Sequence, residues 1–247
     1  MRRILMMVLR NWYYVPFAWI KLCWRAAYPD KYTDYEHFVF LRDITRRANK
    51  GGNVHIIVTG RENIPKQDGF MYFPNHQGLY DVLAMLETSP TPFSVVAKKE
   101  VKDIPFLKQV LSCMRAFLLD RENVRQAMGV INNVSKEVEK GRNYLIFAEG
   151  TRSKKGNETL EFKSGSFKSA TKAKCPVVPV VLVDSFKPFD ISSLAPVDVQ
   201  VHILKPLYYE DYKEMKTREL AACVKARIDE KMKEIITEKG IDNKRKL

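Results

Sequence analysis

Strand-length β-branched and aromatic runs alternate with segments of helical period through most of this chain. The runs read VHIIVTG (54–60), GFMYFPN (69–75), FSVVAKK (93–99), AFLLDR (116–121), NYLIFAEG (143–150), PVVPVVLV (176–183) and VDVQVHILKPL (197–207). Between them, residues 81–87, 104–114, 123–141 and 162–173 carry helical spacing, as do 34–48 before the first run. A charged amphipathic helix is expected from Asp211, with a frayed end at 242–247. This alternation selects an α/β fold: a mixed, largely parallel sheet flanked by helices. In such sheets ligands bind beyond the carboxyl ends of the strands. Polar clusters stand at those ends: Asn75-His76 after the second run, Lys98-Lys99 after the third, Asp120-Arg121 after the fourth, and Glu149-Gly150-Thr151-Arg152 after the fifth. Four loops meeting on one edge are expected to form a single site.

Two of these clusters carry chemistry. His76 lies in a Pro-Asn turn, and Asp81 opens the helix five residues on. Residues five apart do not share a helix face. They can meet if His76 stays in the turn and Asp81 sits in the first helical turn. A carboxylate there fixes the imidazole tautomer and favours the imidazolium, which is the base-and-orienter half of a triad. No serine or cysteine stands in a GxSxG elbow. A His–Asp pair without a protein nucleophile suits a reaction in which the substrate's own hydroxyl attacks, although a lone histidine is more often structural. The second cluster, FAEGTRSKKG (147–156), exposes backbone N–H groups, a hydroxyl and a guanidinium at a strand end. That set can cradle a phosphate, because arginine binds two phosphate oxygens in a fork. Arg121 and Lys98 would add charge to it. The GxxxxGK[ST] spacing of a P-loop is absent.

The first 28 residues hold all three tryptophans (Trp12, Trp19, Trp24), with Arg10, Lys21 and Pro16 interrupting the apolar run. A cleavable signal or a spanning helix would need a longer uninterrupted apolar stretch. Basic residues beside Trp, Tyr and Leu compose a helix lying in the membrane interface. The competing reading is a helix packed on the domain's own core. Residues 46–52, RRANKGG, are expected to form a basic loop near anionic headgroups. The organisation expected is an N-terminal membrane-anchoring segment (1–50) followed by an α/β domain (51–247). The formal net charge of +13 calls for an anionic partner. The four scattered cysteines form no CxxC pair and fit idle thiols in a reducing compartment. No nucleic-acid-binding motif accompanies the charge. A peripheral protein on the cytoplasmic face of the cell membrane is expected.

NHQGLYD (75–81) resembles the NHxxxxD motif of the 1-acylglycerol-3-phosphate acyltransferases and their glycerolipid acyltransferase relatives. AFLLDR resembles their second block, FAEGTRS their third, and CPVVPVVL (175–182) their fourth. The blocks stand in order over about residues 70–185, and AKKE, IPFL and FKSGSF resemble stretches between them. The resemblance implies that His76 is the catalytic base and Asp81 its partner. It implies that Arg121, Glu149, Gly150, Thr151 and Arg152 bind the acceptor's glycerol phosphate. It implies acyl transfer from an acyl-carrier-protein or coenzyme A thioester to the 2-hydroxyl of lysophosphatidate, giving phosphatidate, without a metal or resident cofactor. Two positions depart from the pattern: Ala148 replaces a usual proline, and Arg115 stands where a glycine is common. Either is expected to affect the acceptor pocket. Another lysolipid acceptor is the first alternative. A non-catalytic protein binding anionic lipid is the second, and it leaves His76 and Asp81 unexplained.

Overall fold

The computed structural model describes residues 2–120 and 123–239. Ten helices and seven strands follow in chain order among the described residues. The chain opens with α1 (Arg2–Arg10), α2 (Val15–Ala27) and α3 (Asp34–Gly52), then β1 (Val54–Thr59). It continues through β2 (Met71–Pro74), α4 (Asp81–Thr88), β3 (Ser94–Lys98), α5 (Leu107–Cys113), β4 (Phe117–Leu119), α6 (Val124–Glu139) and β5 (Tyr144–Leu145). The last part holds α7 (Lys168–Ala173), β6 (Val177–Val183), α8 (Lys187–Asp190), β7 (Val197–Ile203), α9 (Tyr209–Tyr212) and α10 (Thr217–Lys239). The helix expected from Asp211 is thus a short α9 and a separate α10. Residues 240–247 lie outside the described residues.

The strands form one sheet in the order β1-β7-β6-β2-β5-β3-β4. Every pairing is parallel except β6 with β7. The mixed, largely parallel sheet expected from the sequence is therefore present. Strands β2, β5, β3 and β4 are consecutive neighbours with the same direction, so their carboxyl ends lie side by side. These are the four ends that carry the polar clusters.

Alternation along each strand divides the core in two. On β2, Phe70 and Tyr72 join the cluster formed with α1 to α5, while Met71 and Phe73 join the cluster of α6, α7 and α10. On β6, Val180 and Leu182 face the first cluster and Val181 and Val183 the second. Both faces are covered, which is why β6 is buried along its whole length.

The N-terminal helices pack on this domain. Met7, Leu22, Phe38 and Leu41 share one apolar cluster with Tyr72, Val180 and Val201 of the sheet. Arg3 is buried, and its guanidinium donates to the carbonyls of Gly52 (2.5 Å), Ser193 (2.7 Å) and Ala195 (2.8 Å). The basic loop expected at 46–52 is instead the end of α3. The helix continues until Asn53 adopts a left-handed conformation (φ 51°) and closes it. Gly51 and Gly52 are where α1 touches it. A Cβ on Gly51 would stand 2.5 Å from Asn11 Nδ2, so a larger residue there would displace that side chain. The opposite side of α1 and α2 stays apolar and exposed: Leu5, Leu9, Trp12, Phe17, Ile20 and Trp24 all face outward. Among the described residues, no helix is long and apolar enough to cross a membrane.

Candidate active site

Past Pro74, strand β2 can no longer donate to the ladder. Asn75 takes over with its side chain. Its Nδ2 donates to Leu182 O (3.0 Å), and Leu182 N donates to its Oδ1 (2.7 Å). This fixes the start of the turn that holds His76. Asp81, the first residue of α4, is completely buried. Its carboxylate accepts from Gln77 N (2.7 Å), Gly78 N (3.1 Å) and Ser185 Oγ (2.6 Å), as well as from His76 Nδ1 (2.7 Å). A carboxylate that only accepts makes Nδ1 the protonated ring nitrogen. Nε2 is left with a lone pair and has no hydrogen-bond partner among the described residues. Phe147 stacks on the imidazole, with centroids 4.0 Å apart and planes 20° apart. Ring plane and tautomer are thus both held.

The loop after β5 is stitched to the same turn. His76 N donates to Glu149 Oε1 (2.8 Å), and Ser153 N donates to His76 O (2.9 Å). The other Glu149 oxygen accepts from Leu160 N (3.1 Å). Glu149 is 2% exposed, and burial pushes its carboxyl up to about 7, against the two backbone N–H groups that favour the charged form. Gly150 takes φ +74°, the left-handed turn that a side chain would strain.

His76, Lys98, Gly150, Thr151 and Arg152 line one cavity of about 760 Å³. Its remaining walls are mostly apolar, with Leu83, Val110 and Leu111 on one side of the sheet and Val130, Ile131 and Val134 on the other. Asp81 lies behind His76, and Glu149 lies under the loop with both oxygens on backbone donors. Lys98 makes an ion pair with Glu100 (2.8 Å). Arg121 lies outside the described residues; its neighbour Asp120 bonds Lys99 (2.6 Å). Arg115 stands at the opposite edge of the sheet, before β4. It takes φ +50° and bonds Asp34 (2.8 Å) and Asp30 (2.6 Å). It does not line the cavity, which corrects the expectation that it shapes the acceptor pocket.

Residues 55–183 match the family model described as Acyltransferase. The chain belongs to the acyltransferase family. This acyltransferase is similar to the 1-acyl-sn-glycerol-3-phosphate acyltransferase of Borreliella burgdorferi, with 34% identity over 60% of this chain and 59% of that one. It is 32% identical to the enzyme of that name from Saccharomyces cerevisiae, over 72% of this chain and 60% of that one. It is also 32% identical to the Escherichia coli protein of that name, over 67% of each chain. The matches thus span about three fifths of the first two relatives. The crystal structure of the 1-acyl-sn-glycerophosphate acyltransferase PlsC from Thermotoga maritima has the same fold, with a TM-score of 0.73 at 23% identity, covering 94% of this chain and 96% of that one.

Four participants escaped the sequence reading: Asn75 as a surrogate ladder residue, Phe147 stacked on His76, Ser185 on Asp81, and the cavity itself. Ser185 had a readable signal. It stands two residues past Val183, at the carboxyl end of β6, which is the other neighbour of β2. Phe147 and the cavity depend on how helices close over the sheet, and no spacing reveals that.

Proposed function

We propose that this acyltransferase moves a fatty acyl group from an acyl thioester to the sn-2 hydroxyl of 1-acylglycerol-3-phosphate, giving phosphatidate. The observation that carries the reading is the His76–Asp81 pair at 2.7 Å, with Nε2 turned to an apolar cavity whose rim holds Thr151 and Arg152. The names of the relatives support this acceptor. In this reading Nε2 takes the proton of the acceptor hydroxyl as its oxygen attacks the thioester carbonyl carbon. The tetrahedral intermediate then collapses, the C–S bond breaks, and the imidazolium returns the proton to the leaving sulfur. Asp81 stabilises the imidazolium between the two transfers. Arg152 and Thr151, with Arg121, receive the phosphate, and Lys98 adds positive potential. Glu149 acts through its grip on the His76 backbone. An apolar cavity within the ~300–1,000 Å³ range of ligand sites suits an acyl chain.

The donor is an acyl-carrier-protein or coenzyme A thioester, both of which suit a basic surface. The exposed aromatic face of α1 and α2 supports a peripheral attachment to the cytoplasmic face of the membrane. The test is thiol release from an acyl thioester by purified protein in lipid vesicles. Release is expected to require lysophosphatidate and to fall at least ~10²-fold in His76→Ala, while vesicle binding is unchanged. Acceptor-dependent release that survives His76→Ala would overturn the assignment of the base.

A further inference from the structure

Several cations at the carboxyl edge of the sheet are compensated. Lys98 pairs with Glu100, Lys99 with Asp120, and Lys187 with Asp184. Three that line the cavity beside His76 are different. Among the described residues, none of Arg152, Lys154 and Lys163 makes an ion pair or a side-chain hydrogen bond. Of the carboxylates in the loop after β5, Glu149 is taken up by two backbone N–H groups, and Glu161 pairs with Lys225 (3.7 Å).

Lys163 is also placed rather than merely present. Its backbone N donates to Ala148 O (2.8 Å), which fixes it beside the extension of β5. Its stem then crosses the face of Gly150. A Cβ on that glycine would stand 3.1 Å from Lys163 Cε and 3.2 Å from its Nζ. The missing side chain at Gly150 therefore makes room for the ammonium beside the loop. That loop is bonded to the His76 backbone at both Glu149 and Ser153. The ammonium thus belongs to the rigid unit that carries the base.

We propose that Lys163 is a phosphate ligand of this site, acting with Arg152 on the phosphate monoester of the acyl acceptor. The proposal rests on the acyl-transfer reading above. Unpaired cations on one rim repel each other until an anion lies between them, and a dianionic monoester can accept from both Arg152 and Lys163. The thioester carrier also contains phosphate, but at the far end of a long pantetheine arm. In a glycerol phosphate the phosphate is one carbon from the reacting hydroxyl. A cation beside the loop that is bonded to the turn of the base fits the second arrangement.

Steady-state kinetics separate the two sources. Wild type, Lys163→Ala, Lys163→Arg and a charge control, Lys168→Ala, are compared with lysophosphatidate and with 1-acylglycerol, which lacks the phosphate. Lys168 is exposed on α7 and does not line the cavity. For Lys163→Ala, KM for lysophosphatidate is expected to rise about 10- to 100-fold, the loss of one charge-assisted hydrogen bond. KM for the thioester should change less than about twofold on the same reasoning, since no donor contact is removed. The preference for lysophosphatidate over 1-acylglycerol should fall by the same factor as the acceptor KM rises. Lys163→Arg should keep most of that preference, and Lys168→Ala all of it. A rise in the thioester KM instead would assign the ammonium to the carrier and overturn the proposal. An unchanged preference in a Lys163→Ala protein that melts like wild type would overturn it as well. A wild type that acylates some other acceptor but not lysophosphatidate would instead refute the acceptor reading, before any variant is compared.

Discussion

Four donors converge on the Asp81 carboxylate, and one of them, Ser185 Oγ, comes from 104 residues away. Removing it leaves Asp81 Oδ1 with only the longer Gly78 N–H. Ser185→Ala is expected to lower kcat about tenfold, the scale of one net hydrogen bond to a charged group, with KM for the acceptor unchanged. An equal rise in KM would show that Ser185 acts on binding. Glu149 makes a pH-dependent prediction. Between its ordinary value of 4.5 and about 7, the folded chain holds a proton that the unfolded chain has released. That proton stabilises the fold at low pH, and its contribution is lost as pH rises through about 7. Glu149→Gln has no such titration, so its melting temperature relative to wild type is expected to rise between about pH 5 and pH 8.5. The underlying change is at most about 3 kcal/mol. A difference that stays flat with pH would show that Glu149 is not the titrating group. Arg115 pairs a strained backbone with good partners. Arg115→Gly relieves φ +50° while Arg115→Ala does not, so Gly should be the more stable variant by about 1 kcal/mol in urea melts. His76 and Asp81 were legible because both fall within seven residues of one motif. For Ser185 only the place at a strand end was legible, because its contact with Asp81 depends on β6 lying beside β2 rather than on spacing.

At the scale of elements, the strands were legible to within a few residues, since each is a β-branched run stopped by proline, glycine or charge. The end of α3 was not. Its last turn contains two glycines, which local propensity assigns to a loop, and in the fold they lie against Met7 and Asn11. The N-terminal pair of helices has two dissimilar sides. One is tied down by Arg3 and by Met7 and Leu22, and the other presents Trp12, Phe17, Ile20 and Trp24 outward. The packed reading describes the first side, and the exposed second side is the one that the proposed interfacial role would use. Replacing Trp12, Ile20 and Trp24 together by serine is expected to reduce partitioning into anionic vesicles about 10²-fold or more, with little change in melting temperature, because these rings are exposed. A fall in melting temperature with unaltered partitioning would place them in the fold rather than at the bilayer. Gly52→Val should do the reverse, lifting α1 off α3 and lowering stability by about 1–3 kcal/mol in the same melts.

For the molecule as a whole, the cavity joins apolar walls from both faces of the sheet and meets the polar loops at His76. Filling it from α6, by Val134→Trp, is expected to shorten the longest acyl chain transferred while shorter chains react at near wild-type rates. Equal losses at all chain lengths in a donor series would mean that Val134 supports the site without lining an acyl chain. The sheet order has a further consequence, for how such a molecule can be made. β5 inserts between β2 and β3, although about 45 residues separate it from β3 in the chain, so until β5 is synthesised β3 has only β4 beside it and β2 lacks this neighbour. β2 gains its other neighbour only with β6, and Asp81 its last donor only at Ser185. A nascent chain released before Tyr144 would carry the His76 motif on strands with open edges, a template for aggregation. The contacts around His76 and Asp81 are therefore completed only when most of the sheet has been synthesised.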